Sequence, residues 1–382
     1  MHKKYNFTEP FLSGNEIEYI KDVISNGFFG GNGPYSRRCE KFIEQEFEIP
    51  KVLLTDSCTS ALEMTALLMD LSPSDEIILP SYTFPSTGSA FLRAGAKLVF
   101  AEIDPATLMI DAEDVKNKIT SNTKAIVAVH YAGSSANLLP LLKLANQYNL
   151  KLVEDAAQGF GSFNEDNVPL GSIGDFGCIS FHETKNIHCG LGGALYINSQ
   201  DEELISKAVQ IWERGTNRQD LLKGLIDKYT WTALGSSFYP SELQSAFLFS
   251  QLEVYKSNID QRAEIYTAYI NALVEVESSY KLKLLKHENI RHNHHALIIT
   301  VESEEVCDNL ISYLRSYDIS PFIGYIPLHS SPMGHSLGYN ALDLPITREV
   351  SKRVIRLPFH NQLSLDDIKF IATKIKNFYE RS

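Results

Sequence analysis

The chain has 382 residues, 44% hydrophobic and 21% charged, with a formal net charge of −12. That length supports two domains with substantial cores, and that charge excludes a nucleic-acid or anionic-membrane surface, which needs clustered Lys and Arg. No apolar run reaches the roughly 18 to 20 residues that span a bilayer, and the polar start Met1-His2-Lys3-Lys4-Tyr5-Asn6 lacks the apolar core of a signal peptide.

In chain order, short apolar runs alternate with amphipathic stretches. Residues 52–54, 76–80, 97–100, 125–129, 151–153 and 177–180 are strand-length runs, whereas 61–69 and 138–148 carry helical periodicity. The alternation predicts an α/β sheet, mostly parallel and covered on both faces, with ligands beyond the carboxyl ends of its strands. A long helical pattern over 241–274 leads to a second unit, with a strand signal at 296–301 and helices over 304–317 and 366–379. The predicted domains are residues 1–250, a large ligand-binding unit, and 251–382, a smaller C-terminal α/β unit.

Each candidate site residue falls just after one of these runs. The loop Thr55-Asp56-Ser57-Cys58-Thr59-Ser60 opens a helix, and backbone N–H groups at a helix N-terminus beside hydroxyls make a phosphate site. Phe84, after the run at 76–80, could stack on a flat ring. The segment Leu152-Val153-Glu154-Asp155-Ala156-Ala157-Gln158-Gly159 is a buried-type strand ending in a carboxylate, with Gln158 placed to hydrogen-bond a ring hydroxyl. Thirty residues on stands Lys185, in Ser180-Phe181-His182-Glu183-Thr184-Lys185-Asn186, followed by the glycine-rich turn Gly190-Leu191-Gly192-Gly193. A lysine to hold an aldehyde and an acid to pair with a pyridinium nitrogen are what pyridoxal 5'-phosphate (PLP) requires. Such an acid stays ionised opposite a protonated ring, and burial lowers the lysine's pKa so that its free amine is accessible near neutrality. His292, His294 and His295 cluster, and His182 and His188 flank the lysine, without the carboxylate or cysteine spacing of a zinc site. No metal is expected. The five scattered cysteines point to free thiols in a reducing cytoplasm.

These segments, with His130-Tyr131-Ala132-Gly133, Tyr325-Ile326-Pro327-Leu328-His329 and Leu357-Pro358, resemble the DegT/DnrJ/StrS family of PLP-dependent aminotransferases acting on nucleotide-linked keto sugars. The resemblance runs from about residue 7 to the C-terminus. It implies a type I PLP-dependent aminotransferase fold, an α/β/α sandwich with a smaller C-terminal α/β domain. It also implies a homodimer with shared active sites, L-glutamate as donor, and a cofactor cycling between PLP and pyridoxamine 5'-phosphate. By position, Lys185 is the catalytic lysine, Asp155 the pyridinium partner, Gln158 the ring-hydroxyl contact and Phe84 the stacking ring. Ser57, Cys58, Thr59 and Ser180 fall at the phosphate, His182 at the cofactor, and Tyr229, Tyr325 and His329 at the substrate. The family often supplies an Asn from the neighbouring subunit within Gly-x-Asn-Tyr; this chain has Ser237 there. Leu191 stands where the family usually reads Gly-Glu-Gly-Gly, which removes a polar group from that loop. The segments 181–186, 214–218, 227–231 and 235–237 resemble a subgroup that converts dTDP-4-keto-6-deoxy-D-glucose to dTDP-4-amino-4,6-dideoxy-D-galactose. The gluco epimer, amination at C3, a sugar dehydratase (which carries histidine for the lysine) and a non-catalytic regulator are the alternatives. An intact Asp155/Lys185 pair argues against the last two.

Overall fold

The apolar runs become strands because they are buried on both faces, where branched side chains pack well on a pleated surface. The computed structural model describes residues 3–135, 138–286 and 291–381. Its large sheet contains β1 (Lys51–Thr55), β2 (Glu76–Pro80), β3 (Lys97–Ala101), β4 (Thr123–Val129), β5 (Lys151–Ala156), β6 (Phe176–Ser180) and β7 (Gly193–Ile197). The spatial order is β1-β7-β6-β5-β4-β2-β3. Only β7 runs against its neighbours; the other pairings are parallel. Every residue of β6 and β7 is buried, and helices cover both sheet faces.

Local chemistry sets the helix starts. Pro34 opens the Pro34–Phe47 helix, and Glu242 accepts the backbone N–H groups of Gly33, Tyr35 and Ser36 at 3.0, 2.7 and 3.1 Å. Those are donors that a helix N-terminus leaves unsatisfied, so one helix caps another. Glu242 itself sits in the first turn of Glu242–Glu253, which begins with a capping box between Ser241 and Gln244.

A second, antiparallel sheet contains β8 (Lys283–Leu284), β9 (Leu297–Thr300), β10 (Phe322–Ile323) and β11 (Val354–Leu357), in the order β10-β11-β9-β8. Helices Tyr255–Ser279, Glu304–Arg315 and Leu365–Arg381 pack against it, burying Leu273, Leu310 and Ile371 with Ile299 and Ile355. The N-terminal residues join this unit: Tyr5 bridges Ile319 and stacks on Phe370 at 5.4 Å.

Two sequence expectations change. The pattern over 241–274 is two helices, Glu242–Glu253 and Tyr255–Ser279, separated at Val254, whose φ of −115° and ψ of 12° leave the helical region. The glycine-rich turn ends one residue earlier than its composition suggests, because Gly193 is the first residue of β7. A Cβ there would lie 2.5 Å from the backbone N of Cys58, so only glycine lets β7 pass the start of the Cys58–Leu68 helix. No helix among the described residues is long and apolar enough to cross a membrane.

Candidate active site

Parallel strands deliver their C-terminal loops to one edge, and these loops meet there. A cavity of about 420 Å³ lies at the carboxyl ends of β1, β2, β4, β5 and β6, closed from the other side by the small sheet and by Phe7 and Thr8. Ser57, Cys58, Thr59, Phe84, Asp155, Gln158, Ser180, His182, Lys185 and Tyr325 all line it.

Ser57 caps the Cys58–Leu68 helix by accepting from the N–H of Ser60 at 3.1 Å. This leaves the amides of Cys58 and Thr59 without intrahelical acceptors, next to the Thr59 hydroxyl, which donates to Ser86 at 2.7 Å. The Ser180 hydroxyl accepts from the N–H of His182 at 3.3 Å. Phe84, just ahead of the Pro85–Arg93 helix, is 57% exposed, which leaves a ring face open at the rim.

Asp155 is the penultimate residue of β5 and is buried. Thr87 donates to Oδ2 at 2.7 Å and the Ala157 N–H donates to Oδ1 at 3.2 Å. Burial pushes its carboxyl above the ordinary carboxylate value, against those hydrogen bonds and the positive charge of Lys185. A pyridinium opposite it would restore the anion. The neighbouring Glu154 is buried and accepts the N–H groups of Gly171, Ile173 and Gly174 at 2.8, 2.6 and 2.6 Å. It therefore ties the end of β5 to the loop that enters β6. Gln158 accepts from the Ala132 N–H and donates to Tyr325 Oη, both at 2.8 Å, which keeps one amide hydrogen for the cavity.

Lys185 sits in the connection between β6 and β7. That loop is stitched by Phe181 N–H to Gly192 O, Glu183 N–H to Gly190 O, and Lys185 N–H to His182 O, each 2.8 Å. Among the described residues no carboxylate lies within ion-pairing distance of its Nζ. Burial lowers its pKa to about 8; the Arg356 charge works in the same direction, and Cys58 and Asp155 oppose it. Apoprotein is therefore expected to capture PLP at a rate that rises with pH in one step centred near pH 8, because only the free amine attacks an aldehyde. Absorbance-monitored reconstitution across pH checks this; a midpoint at the ordinary lysine value of 10.5 would contradict it. By linkage, the apoprotein gains stability from about pH 8 towards 10.5, where the unfolded chain still holds a proton that the folded chain has released.

Three expected residues lie off the cavity. His329 is fully buried, with Nδ1 2.7 Å from Ser81 Oγ and Nε2 3.0 Å from Ser330 Oγ. Both ring nitrogens have hydroxyl partners, so within this chain it braces the loop after β2 and does not line the cavity. Tyr229 and Ser237 are exposed on the 214–237 segment, where Ser237 bridges Glu213. The histidine cluster is engaged in packing: the His294 N–H donates to His292 Nδ1 at 2.8 Å, and His294 packs on Tyr266. No group of three or more metal-ligating side chains occurs among the described residues.

Sequence reasoning missed Arg356 and named His295 only within the histidine cluster weighed for metal; both are on the cavity wall. His295 Nδ1 is 3.1 Å from Asn186 Oδ1, and burial, with Lys185 and two arginines, holds its pKa well below the usual value. Arg356 lies on β11, which the sequence reading did not mark; the only signal was its place directly before the quoted Leu357-Pro358.

A lysine that is readily uncharged, set against a buried carboxylate at the strand ends of this sheet, fits PLP and defines a type I PLP-dependent aminotransferase. The open helix-start amides suit its phosphate, and Phe84 suits its ring face. Residues 10–376 match the DegT/DnrJ/EryC1/StrS aminotransferase family, and the chain belongs to it. A GDP-perosamine synthase from Vibrio cholerae is 29% identical over 377 residues, covering 97% of this chain and 98% of the relative. NtdA from Bacillus subtilis, solved with bound pyridoxamine 5'-phosphate, is 26% identical with a TM-score of 0.85, covering 98% of this chain and 87% of NtdA. Helicobacter pylori PseC, an aminotransferase involved in pseudoaminic acid biosynthesis, superposes with a TM-score of 0.90 at 24% identity, with full coverage of both chains.

Proposed function

We propose that this enzyme moves the amino group of L-glutamate to C4 of dTDP-4-keto-6-deoxy-D-glucose, giving dTDP-4-amino-4,6-dideoxy-D-galactose and 2-oxoglutarate. The observation that carries the reaction class is the half-buried Lys185, with no carboxylate in ion-pairing distance among the described residues, sharing one cavity with the buried Asp155. The substrate rests on the subgroup resemblance of 181–186, 214–218, 227–231 and 235–237. A second reading, a GDP-linked keto sugar, is favoured by the GDP-perosamine synthase relatives.

When bound, PLP supplies the electron sink for charge developing at the donor Cα. Lys185 Nζ takes the proton from that carbon in the first half-reaction and delivers one to sugar C4 in the second. Asp155 holds the ring nitrogen protonated, Gln158 orients the ring hydroxyl, and Ser57, Cys58, Thr59, Ser180 and His182 hold the cofactor's position. Tyr325 and Phe84 shape the sugar's entry.

We infer a homodimer with shared sites. Leu225, Trp231 and Leu234 are about 70% exposed on the same segment as Tyr229 and Ser237, an apolar face that calls for a partner. A second copy would bring Tyr229 and Ser237 to its neighbour's cavity. We place the enzyme in the cytoplasm, in deoxyamino sugar supply for a surface polysaccharide such as an O-antigen. Proton NMR of the product made from each nucleotide sugar tests the reading. A small H3–H4 coupling from the dTDP substrate is expected, marking an axial C4 amine. A large coupling would replace the galacto with the gluco product, and turnover only with the GDP sugar would favour the second reading.

A further inference from the structure

Asn186 follows Lys185 directly, is buried, and is held from outside the large sheet by three contacts. Its Nδ2 donates to Asn293 O at 2.6 Å, and its backbone carbonyl accepts from Asn258 Nδ2 at 3.2 Å. Its Oδ1 lies 3.1 Å from His295 Nδ1. A carbonyl oxygen only accepts, so Nδ1 carries the ring's proton and donates it to Asn186. Burial and the charges of Lys185, Arg262 and Arg356 keep that ring neutral. The same short segment also reaches the turn that carries Gln158. Asn293 Nδ2 donates to Gln158 O at 2.7 Å and to Phe160 O at 2.9 Å. Residues 293–295 lead into β9 and are fastened by Arg262, whose Nε and Nη2 donate to His294 O and His295 O, both at 2.9 Å. One strip entering the small sheet thus fixes two loops that face the cavity.

We propose that His295 is a positioning residue: by donating to Asn186 it sets the direction in which Lys185 leaves its backbone. This rests on the role proposed above for Lys185. The loop's backbone hydrogen bonds hold 181–185 and 189–192, whereas 186 is held by the contacts just described. Among the described residues no ion pair holds Lys185 Nζ, so the placement of its backbone decides where the flexible side chain can reach. That amine has to meet an aldehyde, the donor carbon and then the sugar carbon. A misplacement of about 1 Å can cost such a reacting group about a hundredfold. Without the Nδ1 donor, the buried Asn186 Oδ1 loses its partner, and an unsatisfied buried acceptor shifts to find another. In this role His295 touches no reacting atom; what counts is the hydrogen at Nδ1 and not the basicity of the ring.

The test compares His295→Asn, whose Nδ2 falls where the ring carries Nδ1, with His295→Leu, which has the same shape and no donor. At the pH of about 8 where the Lys185 amine is half free, apoprotein of His295→Leu is expected to capture PLP about tenfold more slowly than wild type, read by absorbance. In the holoenzyme its kcat should fall about thirtyfold in both half-reactions, while the KM for L-glutamate stays within about threefold. His295→Asn should return both readouts to within about threefold of wild type, which the loss of a general base would not allow. In an Asn186→Ala background, replacing His295 by leucine should cost almost nothing further. Should His295→Leu fail to fold, His295→Asn decides alone: near wild-type readouts support the proposal, and a folded variant with about a thirtyfold loss overturns it. Equal capture by wild type and His295→Leu, a folded His295→Asn as slow as His295→Leu, a loss confined to KM, or additive losses with Asn186→Ala would each overturn it as well. PLP capture that survives Lys185→Ala would instead remove the lysine's own role, and the positioning role with it.

Discussion

Replacing Lys185 with alanine is expected to lower kcat by about 10⁴-fold, the upper range for a positioned general base, in both half-reactions. Among the described residues Lys185 is the only lysine on the cavity wall, and its loop is held by backbone hydrogen bonds that do not involve its side chain. The substitution should therefore leave the fold intact while removing both the amine that holds the aldehyde and the base at the donor carbon. Borohydride reduction of the wild-type holoenzyme followed by peptide mass spectrometry should place the cofactor on Lys185, and the variant should carry none. Cofactor on another lysine, or turnover within tenfold of wild type, would contradict this role.

Asp155→Asn should produce the second largest loss, about 10²- to 10³-fold in donor kcat/KM. That range corresponds to about 3 to 4 kcal/mol, typical of removing one partner of a buried charge pair. The amide preserves shape: its oxygen can accept from the Ala157 N–H while its NH2 donates to the Thr87 hydroxyl, so the effect isolates the charge. The apoprotein should respond in the opposite sense. Burial raises the pKa of Asp155, so its ionised form costs folding free energy above the ordinary carboxylate range, and the neutral amide avoids that cost. A thermal melt of apo Asp155→Asn at neutral pH should show an unchanged or higher midpoint alongside the activity loss. A lower midpoint with a proportionate loss of cofactor would instead make Asp155 a structural residue.

Most of the large sheet was legible because its strands are short apolar runs bounded by turns, a signal that local pattern carries well. The observed bounds of β2 match the predicted 76–80, and the predicted 125–129 falls inside β4. The Asp155 and Lys185 pairing was legible for a related reason: Asp155 lies at the carboxyl end of a buried strand and Lys185 in the loop that follows the next one, and parallel strands bring their carboxyl ends together. Arg356 was not legible. Its strand is four residues long, and its position on the wall depends on packing against Tyr131 and Tyr325 from two other segments. His329 shows the reverse: a conspicuous histidine in a resembling motif that proves to be buried between two serine hydroxyls. Motif position could not report which way its ring turns. Tyr229 and Ser237 are exposed and off the cavity in one chain, and their proposed place at it depends on a second copy.

In the proposed reaction this cavity carries nitrogen from an amino acid to a sugar carbon. The most direct measurement is an incubation of the holoenzyme with ¹⁵N-labelled L-glutamate and dTDP-4-keto-6-deoxy-D-glucose, followed by ¹H–¹⁵N correlation NMR of the isolated nucleotide sugar. A correlation between the label and the proton at C4 is expected, in stoichiometric balance with 2-oxoglutarate and absent with Lys185→Ala. Label at C3, or keto sugar consumed with no nitrogen incorporated, would contradict it.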